Sequence, residues 1–560
     1  MSASNKKKLR KEQEAAILTE KQQKAQAEAK KLKAYTVTFI VVMALVLCIA
    51  VGTVLYTSLL NGGVFQRNTV AAKIGNHELN AIDFNYFYVD EITSNYNDWT
   101  KSYGDYTPQF VKTMYGLDVS QPLSYQYYDE ASGTTWADYF ADLTLSNAKT
   151  VYSIYDEAIA NGYTLSEDAQ AAMEDNILVM QDYADLFTEG DADAYVETLY
   201  GSGADLESYR KYVEVRSVAT AYQADYYNSL VYDDATVDAY NQEHYNDFTA
   251  YTFADKYINY GEFLHLNCED PDSNHEHTDE EVAAAQAAAK EASESLLGAT
   301  SVTNFDAKIS DLDLYAEKLA SEVASEKIVD ALLMEVNEQL QEWVSDPDRK
   351  EGDMTVIENH VTVTHEDGST TDVLGGYFTL FFQSKDENLR PHANVRHLLV
   401  KFEGGETDAT TGETTYSLEE KDAAKEEAEA LLETWKKGET TDESFAAFVK
   451  EHTDDSSTAE IGGLFNDVKK GDNFVENFLN WTIDPERKAG DTGVVESEYG
   501  YHIMYYVGDS EETYRDYLIT QYLVERDFTE WAETLNAGIT GELLNTKYIN
   551  GDYIIYQGSY

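Results

Sequence analysis

Val395-Arg396-His397-Leu398-Leu399-Val400-Lys401 and Tyr499-Gly500-Tyr501-His502-Ile503-Met504-Tyr505 frame one domain-sized stretch of the chain. Each sets one histidine inside a run of β-favouring residues bounded by turn signals. Between them lie a helical stretch rich in Ala, Glu and Lys (Leu418 to Lys437), a second one (Glu443 to Glu451), and Gly462-Gly463-Leu464-Phe465. The order strand, helix, helix, glycine turn, strand predicts a small α+β domain whose first and last strands lie side by side. His397 and His502 would then face each other at the floor of one pocket.

The same stretch resembles the parvulin family of peptidyl-prolyl isomerases. The resemblance rests on Arg-His-Leu-Leu-Val at 396–400, Thr-Asp-Asp-Ser-Ser at 453–457, Gly-Gly at 462–463, Phe-x-x-x-Phe at 474–478 and Gly-Tyr-His-Ile at 500–503. It implies His397 and His502 as paired site histidines, with Asp455 standing where some relatives carry cysteine and others aspartate. Phe465, Phe474 and Phe478 match the positions that hold the proline ring, with one residue inserted between Gly471 and Phe474. Ser497 matches a hydroxyl position tied to the histidines, on the substrate side. The resemblance implies no cofactor and no metal. Phosphate-directed relatives carry a basic loop after the first strand. Here Phe402–Ser417 holds Glu403, Glu406, Asp408 and Glu413 with no Lys or Arg, so a preference for phosphoserine-proline is not expected.

Outward from this domain, an internal repeat stands out. Trp343-Val344-Ser345-Asp346-Pro347-Asp348-Arg349-Lys350-Glu351-Gly352-Asp353 returns as Trp481-Thr482-Ile483-Asp484-Pro485-Glu486-Arg487-Lys488-Ala489-Gly490-Asp491. Gly376-Tyr377-Phe378 likewise matches Gly500-Tyr501-His502, and Tyr260–Leu266 stands where Val395–Lys401 stands. Two tandem copies of one domain are therefore expected. Glu262 would replace His397 in the first copy, and Phe378 replaces His502. That copy keeps the fold without the isomerase site, leaving substrate holding, spacing or homodimer contacts as its roles. Its insertion Asn359–Gly375, with Asp367-Gly368 at the middle, reads as an added hairpin. His265, Cys268, His275 and His277 offer four zinc-ligating side chains, but the spacing fits no compact zinc motif, and a solvated acidic loop is the expectation.

The rest of the chain sets the context. Its 560 residues predict three or four domains. A formal charge of −62 argues against nucleic-acid binding, since phosphates would be repelled. Residues 1–33 run the other way, with ten Lys/Arg against four Glu, 10 − 4 = +6. No charge then appears from Ala34 to Gln66. Ala34–Leu60 is long enough to cross a hydrocarbon core of about 30 Å. A cleaved signal peptide competes, but the apolar run is long for one and no small-x-small site follows. The basic flank predicts a single-pass anchor in the cytoplasmic membrane with the N-terminus inside and the bulk extracytoplasmic. Beyond it only Cys268 remains, so no intrachain disulfide is available there.

From Val70 to Ala250 a strand and turn (Val70–Leu79) precede helices at Ala81–Tyr96, Thr135–Ala160, Ser166–Phe187 and Ala204–Leu230, with Ser166 as an N-cap. An ordinary core and a chaperone-like groove both fit their apolar faces. The tail predicts a helix (Glu512 to about Leu535) and a strand (Asp552–Tyr556) packing on the helical domain.

The expected architecture is α+β, with a basic segment at 1–33, a transmembrane helix at 34–60 and a mainly helical chaperone-like domain at 61–254. A degenerate parvulin-like domain at 255–385, a parvulin-type isomerase domain at 386–508 and a helical tail at 509–560 complete it. The expected function is a membrane-anchored isomerase and foldase acting on X–Pro bonds of unfolded or newly exported polypeptides. A non-catalytic holdase using parvulin folds as a scaffold is the alternative, and a structural envelope protein is a third class.

Overall fold

The computed structural model describes residues 3–266, 277–365, 368–407, 412 and 414–555. The chain divides into two units, 1–230 together with 526–560, and 231–525.

The first unit is helical. Ala3–Asn61 is one continuous helix whose segment Val41–Asn61 is apolar, exposed and long enough to cross a membrane. A hairpin follows, Val70–Ile74 against His77–Asn80. Helices Ala81–Tyr103, Trp136–Ala160, Glu167–Phe187 and Leu206–Ser229 then pack their apolar faces into one core. Asn80, Thr135, Ser166 and Asp205 cap these four helices, each side-chain oxygen accepting a first-turn amide. The end of the chain completes this unit. Gly541–Leu543 pairs antiparallel with Val70–Ile74, and Leu543, Tyr548, Ile549, Tyr553 and Ile555 pack on the core. The tail strand thus lies at Gly541–Leu543, and of the expected strand Asp552–Tyr556 the described residues 552–555 form none, Tyr556 lying outside the described residues. Val70–Ile74 has an edge for a third strand to pair with, and Gly541–Leu543 takes it.

The second unit contains two four-stranded antiparallel sheets of identical strand order. In one, Glu326–Leu332, Ala250–Asn259, Thr370–Asp386 and Met354–Thr364 lie side by side in that order. In the other the order is Leu464–Val468, Pro391–Lys401, Gly500–Thr513 and Thr492–Glu496. The repeated sequence forms the same turn in both. Arg349 and Arg487 lie over the rings of Trp343 and Trp481, at 4.0 and 4.6 Å, and donate Nε–H to those residues' carbonyls at 3.0 and 3.2 Å. Asp346 and Asp484 accept from the same guanidinium groups and from the backbone two residues on. Gly352 and Gly490, at φ +86° and +94°, then donate to Phe382 and Tyr506, which leads the chain onto the edge strand. A side chain is disfavoured at such a φ.

Three sequence expectations need correction here. Tyr260–Leu266 is not the counterpart of the strand carrying His397, because 261–266 is helical. The counterpart is Ala250–Asn259. Phe378 pairs with Tyr257 as His502 pairs with Leu399, so two residues earlier Asp255, not Glu262, occupies the register position of His397. The expected boundaries at 254/255, 385/386 and 508/509 fall inside strands that run through them. The added hairpin is present, Met354–Thr364 against Thr370–Asp386, with Gly368 at φ +79° in its turn. Cys268 and His275 lie outside the described residues, so the zinc reading is not addressed there. Among the described residues no His/Cys/Asp/Glu cluster is suited to a metal ion.

Candidate active site

Backbone pairing brings the two histidines together. His397 and His502 sit on neighbouring antiparallel strands, two positions apart along the ladder, so both side chains leave the same face. Gly463 fixes the other side of His397. It accepts the His397 amide at 2.9 Å, and a Cβ on it would lie 2.0 Å from the His397 carbonyl. With φ at +68°, only glycine allows this approach without strain.

The side chains form one hydrogen-bonded row. Thr458 donates its hydroxyl proton to Asp455 Oδ2 at 2.6 Å. Its oxygen is therefore free to accept from His397 Nε2, 3.1 Å away, and the same nitrogen lies 3.1 Å from Asp455 Oδ2. A carboxylate at that end places the His397 proton on Nε2. His397 Nδ1 then carries the lone pair and accepts from His502 Nδ1–H at 3.0 Å. That leaves His502 Nε2 as an acceptor for Ser497 Oγ, 2.9 Å away. The Ser497 hydroxyl also lies 3.1 Å from the Gly500 carbonyl, so its proton has two acceptors. Every link has one donor, and neither imidazole needs a charge.

Electrostatics agree with that assignment. Burial holds His397 below the ordinary imidazole value despite the pull of Asp455. Burial first, then the neighbouring His397, push His502 down to about 4. Burial would raise the Asp455 carboxyl, but hydrogen bonds from Ser457 and Thr458 outweigh it and hold the group at about 2. At neutral pH the row is two neutral imidazoles ending on an anion.

Three phenylalanines wall the space above it. Phe465 stacks on His397 with centroids 5.2 Å apart. Phe478 meets both imidazoles edge-on, at 5.6 and 5.4 Å, and Phe474 stacks on Phe478 at 5.1 Å. Val395, Val468, Val495 and Met504 pack against these phenylalanines in one apolar cluster. The cleft these groups enclose measures about 350 Å³ and is completed by Asn473, Val475, Glu498 and Tyr499.

All seven sequence-picked residues lie in or against this arrangement, and the residue inserted before Phe474 does not displace it from the cleft. Two placements differ from expectation. Ser497 is buried and contacts His502 and its own loop, so it orients the histidine and does not line the cleft. Asp455 also stands behind the cleft, reaching it only through Thr458 and His397. Thr458 was not picked. It is the residue after Thr-Asp-Asp-Ser-Ser, where a hydroxyl beyond an Asp reads as ordinary turn chemistry.

Comparison with known proteins agrees with this geometry. Residues 397–508 match the family model for the rotamase, PPIC-type PPIase domain. No curated protein matches the chain. Among solved structures, the peptidylprolyl isomerase PrsA from Bacillus cereus is similar at 22% identity over 27% of this chain and 50% of that one, TM-score 0.17. PrsA from Bacillus subtilis gives 22%, 27%, 50% and 0.16, and the PPIase domain of TBPAR42 gives 26%, 20%, 98% and 0.16. The chain spans about half the length of the two PrsA structures, and TM-scores this low add nothing to the reading. The family model and the histidine cleft together identify residues 397–508 as a parvulin-type peptidyl-prolyl isomerase domain.

Proposed function

We propose that the chain is a membrane-anchored foldase that isomerises X–Pro bonds in unfolded or newly exported polypeptides outside the cytoplasm. One observation carries the catalytic part: two neutral, mutually bonded imidazoles at the floor of a phenylalanine-walled cleft. Rotation about an X–Pro bond breaks no covalent bond, and its barrier of about 18–20 kcal/mol is the lost conjugation of the amide. Catalysis then requires the twisted amide to be held better than either planar form. Each roughly 1.4 kcal/mol of preference gives tenfold in rate.

Phe465, Phe474 and Phe478 are suited to grip the pyrrolidine ring while leaving the preceding carbonyl free to turn. His397 and His502 present a fixed dipolar surface beneath it. Asp455, Thr458 and Ser497 are positioning residues, holding both rings in one tautomer. A pre-arranged polar surface needs no reorganisation when the amide twists.

The anchor reading rests on Val41–Asn61, with the basic 1–33 segment before it and an acidic chain after it. The first sheet is read as a degenerate parvulin copy. Phe378 stands for His502 and Asp255 for His397, with Ile328, Val336 and Leu340 packed in one cluster with Phe378. The helical unit is assigned to holding clients.

The test is a refolding assay whose slow phase is limited by a prolyl bond, with full-length chain in detergent. Wild type should accelerate that phase and His502→Ala should lose most of the effect. Equal slow-phase rates with wild type, variant and blank would overturn the enzyme reading.

A further inference from the structure

The proline cleft carries a charge that the row of histidines does not use. Of its lining residues only Glu498 is charged at neutral pH, and no Lys or Arg lines the cleft. Glu498 is exposed, and no ion pair engages it among the described residues. Its carboxylate interacts with the Tyr499 hydroxyl, which that contact holds above its ordinary value. Tyr499 is a second lining residue, 58% exposed, whose carbonyl accepts the Phe402 amide at 3.3 Å. Lys421 is paired with Glu496 at 3.1 Å. The lining of the cleft thus carries one carboxylate and no Lys or Arg, above two neutral imidazoles.

We propose that Glu498 is a specificity-determining residue, selecting prolyl segments with a Lys or Arg directly beside the proline. This rests on the isomerase reading and names the substrate class for it. A proline held against Phe465 and Phe478 places its chain neighbours at the rim, where an ammonium or guanidinium group meets Glu498 and a carboxylate is repelled. The long stem of Lys or Arg can lie along the exposed Tyr499 ring while its head reaches the carboxylate. Because the pair is solvent-accessible, the preference is modest, about two- to fivefold over a neutral neighbour, and salt weakens it.

Exchange NMR on two tetrapeptide series, Ala-Xaa-Pro-Phe and Ala-Pro-Xaa-Phe with Xaa Lys, Gln or Glu, tests this with full-length chain in neutral detergent. In at least one series wild type should give kcat/KM in the order Lys, Gln, Glu. Glu498→Gln should collapse that order and Glu498→Lys invert it, and 1 M salt should flatten it. Equal rates for the three peptides in both series, or an order that persists in Glu498→Gln, would overturn the assignment. Absence of acceleration with every peptide would instead overturn the isomerase reading beneath it.

Discussion

The two sheets of the 231–525 unit have the same strand order and the same Trp–Arg–Asp turn, yet their corresponding register positions hold different side chains. In the second sheet the register positions hold His397 and His502, bonded to each other. In the first they hold Asp255 and Phe378, and Phe378 packs into a continuous apolar cluster. The residues that build the turn are thus separable from those that build the site.

The largest difference is expected from truncating the residue at the centre of each cluster. Phe478→Ala should cost about 3–5 kcal/mol and Leu340→Ala about 2–5 kcal/mol, read by hydrogen exchange of each sheet in the full-length chain. Only the first should also abolish isomerase activity. Equal activity losses would mean that both sheets take part in catalysis.

The sheets should also respond to pH with opposite signs. Burial, then Glu326, raise the Asp255 carboxyl from 3.8 to about 7. Between those values the folded chain keeps a proton that the unfolded chain has lost, so first-sheet stability falls as pH rises across that window. His502 goes the other way, from 6.5 down to about 4. There the unfolded chain binds the extra proton, and second-sheet stability falls as pH drops through the window. The steepest slope is about 1.4 kcal/mol per pH unit. Asp255→Asn should remove the first slope in pH-resolved hydrogen exchange, and a slope unchanged in that variant would assign it elsewhere.

A smaller effect separates positioning from structure. Asp455→Asn keeps an acceptor for Ser457 and Thr458 but loses the anion that fixes the proton on His397 Nε2. Activity should fall about tenfold, with folding intact and nitrogen NMR showing mixed His397 tautomers. A single retained tautomer would remove Asp455 from this role. Smallest of all, Arg349→Ala and Arg487→Ala should each cost about 1 kcal/mol, from one cation–π contact and its hydrogen bonds. A large gap between them in thermal melts would mean that the two turns are not equivalent.

Much of this was legible in the sequence because local signals and tertiary pairing agree. The histidine strands, the capped helices and the Trp343/Trp481 repeat all carry their own periodicity or turn chemistry. The failures came where pairing decided. The offset between Asp255 and His397 is 397 − 255 = 142, against 481 − 343 = 138 for the turn, so four residues of length change hid the first strand. Without a histidine, Ala250–Asn259 carries no chemical marker. The tail strand was misplaced because a free edge, invisible in sequence, set its partner. Thr458 was passed over because a threonine beside an Asp turn reads as ordinary capping until a histidine nitrogen is found 3.1 Å from it.

We propose that the bonded imidazole pair is what makes the second sheet an isomerase. Replacing His502 with the residue found at its counterpart, His502→Phe, tests this in exchange NMR on an X–Pro tetrapeptide with full-length chain. The expected rate is about 10–100-fold below wild type, from roughly 1–3 kcal/mol of lost buried hydrogen bonding, in a variant that remains folded. A folded His502→Phe chain that isomerises the peptide at the wild-type rate would contradict it.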